Sequence, residues 1–244
     1  MFIASFPAGP FQTNCYLAAT APRSECVVVD PGMDALDGVG QLIMEYGLKP
    51  VAVLVTHGHV DHMFSVTPLC RSHESVCWVH GDDRVLLTDP YRAMSPDTRA
   101  MLTQLSGGAS FTEPDEVREL ADGDSVPVAG LEFRVIHAPG HTPGSVMFTS
   151  AYEPESDEPA EGADIDTVLF SGDVLFAGSI GRTDLPGGSW PDMLRSLRTK
   201  VLPLPDSVAV LPGHGPQTTM ARERAGNPYL QERNLMADDR ATPS

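Results

Sequence analysis

Apolar and polar positions alternate in short runs at the start of the chain: FIASF, then CYLAA, then CVVVD, which halts at the turn signal Asp30-Pro31-Gly32. This pattern predicts adjacent strands of one sheet. From Ala35 to Tyr46 the apolar positions Leu36, Val39, Leu42, Ile43 and Tyr46 follow helical spacing instead, and Gly47 stands where a C-terminal cap belongs. VAVLVT follows as a continuous run dominated by β-branched residues, which reads as a strand covered on both faces. A helix is expected from about Asp61, a strand at Val76 to Val79, and a polar, helix-leaning region to about Leu105. The second half repeats the strand-rich opening at Ser125 to Val128, Leu131 to His137, Ser145 to Thr149 and Val168 to Ser171. It closes with a helix near Trp190 to Val201 and a last strand, VAVLP. Strand clusters in both halves, each with its own helices, predict an α/β fold of two sheets packed face to face with helices outside.

Composition narrows the picture. The chain has 244 residues, 41% of them apolar and 20% charged, and no linker-like stretch divides it, so residues 1–244 are read as one domain with a sizeable core. The net charge of −17 is uneven. Glu153, Glu155, Asp157, Glu158, Glu161, Asp164 and Asp166 crowd a segment at about 151–166 that reads as a solvated, flexible loop. Deleting Glu153 to Ala163 is expected to leave activity within a few-fold of the parent. A surface this acidic, without a basic groove, argues against nucleic acid as substrate. The opening MFIASFPAGP lacks the basic and apolar regions of an export signal, and no run approaches the ~18 apolar residues of a membrane span. A cytoplasmic protein, monomeric or a small homo-oligomer, is expected. Cys15, Cys26, Cys70 and Cys77 show no C-x-x-C spacing and read as scattered buried thiols.

The chemistry concentrates at strand ends. VAVLVT runs directly into His57-Gly58-His59-Val60-Asp61-His62. Residues two apart lie on opposite sides of a helix, so His57 and His59 must belong to an extended or looped segment. His141 in APGHTPGS, Asp173 in SGD after VLF, and His214 in PGHGP after VAVLP occupy comparable joints, each bordered by glycine, which permits tight turns. Five histidines and two aspartates suit borderline divalent ions: zinc foremost, with iron or manganese as alternatives. Two such ions can share a hydroxide while one polarises a carbonyl, so no Ser or Cys nucleophile is required. His73, His80 and His137 are left outside this site, and Trp78 and Trp190 are read as packing residues.

The motifs THGHVDH, APGHTPGS, SGDVLF and PGHGP together resemble the metallo-β-lactamase superfamily, in chain order and from Phe2 to about Leu230. The resemblance implies a four-layer αβ/βα sandwich of two mixed sheets with the site along one edge. It also implies His57, His59 and His141 on one ion, Asp61, His62 and His214 on the other, Asp173 bridging, and Asp61 orienting the hydroxide. FQTNCYL, GRTDLPGG and PGHGPQTTMARERAGNPYL are similar to the compact glyoxalase II-like hydrolases, which cleave thioesters such as S-lactoylglutathione. Thirty residues follow His214, so the helical domain that grips glutathione in full-length glyoxalase II is expected to be missing. A small-molecule thioester is the expected substrate.

Arg182, Arg224 and Asn227 are candidates for substrate contact, since a guanidinium can hold a carboxylate in bidentate fashion; a structural ion pair is the alternative role. If Arg224 binds substrate, Arg224→Ala raises KM with little change in kcat. The rival activity is that of a mononuclear iron persulfide dioxygenase, which shares the fold, much of the histidine motif and a similar GRTD segment.

Overall fold

In the computed structural model, which describes residues 1–96, 98–100, 110–153 and 165–235, the opening runs form β1 (Phe2–Ala8), β2 (Thr13–Ala19) and β3 (Glu25–Val29). These pair antiparallel, and β4 (Lys49–Leu54), β5 (Val76–His80) and β6 (Val117–Leu120) extend the sheet in parallel, in the order β1-β2-β3-β4-β5-β6. The second sheet takes β7 (Ser125–Val128), β8 (Leu131–His137), β9 (Val146–Ala151) and β10 (Thr167–Gly172), and, after the small hairpin of β11 (Leu175–Phe176) and β12 (Ser179–Ile180), β13 (Val208–Pro212) and β14 (Thr218–Thr219). Its order is β14-β13-β10-β9-β8-β7, with β10 and β13 parallel and the remaining neighbours antiparallel.

Side-chain parity turns these sheets into four layers. Along β2, Tyr16 and Ala18 point into the core between the sheets, whereas Cys15, Leu17 and Ala19 point outward under the helices α1 (Ala35–Tyr46) and α3 (Val66–His73). Along β10, Val168 and Phe170 face the inter-sheet core while Leu169 joins Met193, Leu194 and Leu197 of the helical layer on the far side. Both sheets are therefore covered on both faces, which is why their strands read as nearly continuous apolar runs. The predicted α/β sandwich of two mixed sheets with helices outside is the observed fold.

Details differ for local reasons. The N-terminus of α1 is as expected, and Gly47, with φ at 67°, donates its N–H to Ile43 O at the C-terminus. Leu36, read as part of the apolar face, is instead 42% exposed. The helix expected from Asp61 is a single turn, α2 (Val60–Met63), followed by α3. The helix-leaning stretch begins as α4 (Gly81–Arg84) and short 3-10 turns at Val85–Leu87 and Pro90–Ala93, and residues 101–109 lie outside the described residues. The late helix runs from Trp190 to Ser196 and widens into a π-helical turn over Leu197–Val201. The edge strand β6 and the two-residue strands β11, β12 and β14 escaped the sequence reading because each carries too few apolar positions to show a period. Trp190, expected to pack, is 39% exposed, and all four cysteines are buried free thiols. Most of the acidic segment, residues 154–164, lies outside the described residues. Among the described residues no helix is long and apolar enough to cross a membrane.

Candidate metal centre

Strand ends from both sheets converge on one edge of the sandwich. The end of β4 delivers His57 and His59, and α2 begins directly after His59, placing Asp61 and His62 in its first turn. From the second sheet, the loop after β8 brings His141, β10 leads into Asp173, and β13 leads into His214. Gly213 permits this close approach: a Cβ there would run into Asp173 Oδ1 and His62 Cε1. Gly32 likewise lies against the carbonyl of Asp61, where no side chain fits.

All seven residues singled out from the sequence come together. Their donor atoms form three overlapping sets, His57/His59/His141, His57/His62/Asp173 and Asp61/His62/His214. His59 Nδ1 lies 2.8 Å from His141 Nε2, His62 Nε2 is 3.2 Å from His214 Nε2, and His214 Nε2 is 3.2 Å from Asp61 Oδ2. Asp173 spans the sets, with Oδ2 3.5 Å from both His141 Nε2 and His214 Nε2. His57 Nε2, His59 Nε2 and Asp173 Oδ1 are buried without a hydrogen-bond partner, a costly arrangement for a protein interior unless a cation takes up the free lone pairs.

The outer faces of these side chains are held. His57 Nδ1 meets Thr56 Oγ1 at 3.1 Å, and Thr56 Oγ1 donates to Asp30 Oδ2 at 2.6 Å. His62 Nδ1 lies 2.9 Å from the same Asp30 oxygen. His141 Nδ1 donates to Arg182 O at 2.7 Å and His214 Nδ1 to Phe11 O at 3.1 Å, which fixes their Nε2 lone pairs toward the cluster. The buried carboxylate of Asp83 accepts from Gly58 N, Gly144 N and Thr142 Oγ1, each at 2.7 Å, tying the loop of His57 and His59 to the loop of His141. Sequence reasoning missed both carboxylates. Asp30 carries a signal, since it ends an apolar strand as Asp173 does; Asp83, in the polar run HGDDR, carries none.

Charge states follow from this packing. Burial, with His62 and His141 adding to it, pushes His57 well below the ordinary imidazole value, and burial and His141 bring His59 down to about 3. Burial opposes ionisation of Asp61 and Asp173, yet His62 and His214 hold Asp61 well below the usual carboxylate range, and His62 and His141 hold Asp173 below it. Burial also lowers His62, but Asp173, Asp61 and Asp30 together lift it well above an ordinary imidazole. The neutral imidazoles of His57 and His59 beside ionised carboxylates suit a divalent ion, which would displace the proton that His62 holds. The donor set fits metal.

A cavity of about 430 Å³ opens over the cluster, lined by His59, Asp61, His141, Asp173 and His214 together with a largely apolar wall. Arg182 reaches this lining, but its guanidinium forks onto Asp184 at 2.6 and 2.8 Å. The structure does not bring Arg224 or Asn227 to the cavity. Arg224 donates to Asp206 Oδ1 and to Leu202 O, both at 2.8 Å, clamping the turn before β13. Asn227 is fully buried and donates to Ser179 O at 3.0 Å and Glu223 Oε2 at 2.8 Å, so it anchors the β11–β12 hairpin that forms part of the wall. Both side chains make the structural contacts that were the alternative role, and sequence spacing says nothing about which way a short helix turns its polar side. His80 and His137 stack at 4.0 Å in a separate group with Asp82.

Residues 8–154 and 160–214 match the sequence model described as the metallo-beta-lactamase superfamily. An uncharacterized protein of Mycobacterium tuberculosis is 42% identical over 232 residues, covering 95% of this chain and 98% of that one. Hydroxyacylglutathione hydrolase GloC of Haemophilus influenzae is 33% identical over 234 residues, covering 96% and 100%. Among solved structures, the BLEG-1 B3 metallo-beta-lactamase superposes with a TM-score of 0.77 at 36% identity, covering 94% of this chain and 100% of that one. TTHA1623 in a di-iron-bound form does so with a TM-score of 0.69 at 35% identity, with the same coverage.

Proposed function

The chain belongs to the metallo-β-lactamase superfamily, and from that premise we propose that it is a metal-dependent hydrolase of 2-hydroxyacyl thioesters with two divalent ions in the seven-residue cluster. The carrying observation is the convergence of overlapping three-donor sets around buried lone pairs that have no partner in the protein. In this reading His57, His59 and His141 would hold one ion, Asp61, His62 and His214 would hold the second, and Asp173 would serve both. Zinc suits the donors, and the di-iron form of TTHA1623 supports iron as the alternative. Bound metal would lower the pKa of a water to about 7 and polarise the acyl carbonyl.

The chain's own residues do the rest. Thr13 Oγ1 donates to Asp61 Oδ2 at 3.3 Å, fixing a carboxylate that would orient the attacking hydroxide. The hydroxide oxygen bonds to the carbonyl carbon, the carbon–sulfur bond breaks, and a 2-hydroxy acid and a thiol leave. A thiolate, with an ordinary pKa of about 8.5, departs without a proton donor. An amine does not, and among the described lining residues outside the donor cluster the polar side chains are Thr98, Ser179 and Arg182, none of them a good acid at neutral pH. This favours thioesters over amides, in keeping with the name of the Haemophilus influenzae relative. The likeness to BLEG-1 favours a second reading, opening of a β-lactam ring by the same centre.

The test is metal analysis of the purified chain beside thiol release from 2-hydroxyacyl thioesters and turnover of a chromogenic β-lactam, with Asp61→Ala as control. Two ions per chain and metal-dependent thiol release lost in Asp61→Ala are expected. β-Lactam turnover without thiol release would install the second reading. A single iron, with oxygen uptake on a persulfide and no thiol release, would make the chain a dioxygenase.

A further inference from the structure

We infer that the part of the substrate seated in the cavity is uncharged and apolar, so that the enzyme prefers thioesters of hydrocarbon-like thiols over those of an anionic peptide thiol such as glutathione. This rests on the thioester reading above. The wall facing the donor cluster is built from Phe11, Val60, Met94, Phe176, Ile180 and Leu185. Outside the donor cluster, Arg182 is the one cationic side chain among the described lining residues, and its Nε and Nη2 are held by Asp184. Arg224, the other guanidinium expected to reach substrate, is held by Asp206 and Leu202 O outside the cavity.

Glutathione carries two carboxylates and one ammonium. Removing carboxylates from water against an apolar wall is unfavourable unless a cation meets them, and here the nearest one is already paired. The net charge of −17 adds long-range repulsion to any anionic substrate. An alkyl group gains on each count: every methylene buried against the wall is worth about fourfold in binding. A cavity of about 430 Å³ accommodates a short alkyl thioester with room to spare.

The experiment uses the metal-loaded full chain and lactoyl thioesters of ethanethiol, propanethiol, butanethiol and glutathione, each rate divided by that of hydroxide alone to remove leaving-group differences. The expected result is a rise of about threefold to fourfold in kcat/KM per methylene, with the butanethiol ester at least tenfold above S-lactoylglutathione. Leu185→Arg should reverse the order while metal content stays the same. Equal or better turnover of S-lactoylglutathione by the unaltered chain, with alkyl esters slower, would overturn the inference and leave the thioesterase standing. No thiol release from any ester would overturn the thioester reading and this inference with it.

Discussion

At the scale of single residues, Asp83 shows how much of the candidate centre lies behind the seven side chains that converge there. It is fully buried and offers no donor to the cluster, yet the backbone of both ligand loops hangs from its two oxygens. Asp83→Asn keeps the shape but presents an amide N–H₂ to groups that are themselves donors. Metal affinity should fall about 10- to 100-fold while far-ultraviolet circular dichroism stays unchanged. Unaltered affinity in a metal titration would mean that the loops hold their shape without it. Gly213 makes the complementary case, since the methyl of Gly213→Ala would occupy the contact between Asp173 and His62. Metal content, measured by mass spectrometry, should drop below one ion per chain in a protein that still folds; full occupancy would show that β13 can shift to make room.

At the scale of elements, the β11–β12 hairpin is too short to hold itself, having two residues per strand. It is pinned from outside: Asn227 reaches Ser179 O, and Glu223 Oε2 accepts from Gly178 N at 2.8 Å. Because the hairpin carries Phe176 and Ile180 of the cavity wall, Asn227→Ala should raise KM several-fold with metal content intact, whereas a KM within twofold of the parent would uncouple the hairpin from substrate binding. Arg224 belongs to a different contact, the turn before β13, so Arg224→Ala should lower stability by about 1–2 kcal/mol in a denaturant titration and leave KM unchanged. A raised KM at unchanged kcat would instead make Arg224 a substrate contact.

At the scale of the whole molecule, the centre joins the two sheets, so metal should stabilise the assembly of the halves. At free metal a thousandfold above Kd the linkage is worth about 4 kcal/mol, and a chelator should lower Tm accordingly while the three apolar layers keep the β-sheet signal. The sign of the pH effect follows from His62, whose value is raised by Asp173, Asp61 and Asp30 against the effect of burial. A proton competes with the ion below that raised value, so metal affinity should weaken about tenfold per pH unit on the acid side for each proton displaced. A flat profile between pH 8 and pH 6 would show that His62 is not protonated in the metal-free protein.

What the sequence determined by itself is local and periodic. The alternation in CYLAA, the apolar run VAVLVT and the helical spacing from Ala35 to Tyr46 each depend on neighbours a few residues away, and the corresponding elements stand where they were read. The seven side chains that converge were legible as well, because His57, His59, Asp61, His62, His141, Asp173 and His214 each stand near the end of an apolar run beside glycine or another of the set. Tertiary structure decided what depends on direction and distance. It set Asp83 between two loops that lie far apart in the chain, turned Arg224 and Asn227 away from the cavity, closed the fork of Arg182 on Asp184, and made the wall apolar. A side chain's type and spacing can be read along one dimension, but its partner is chosen by packing in three.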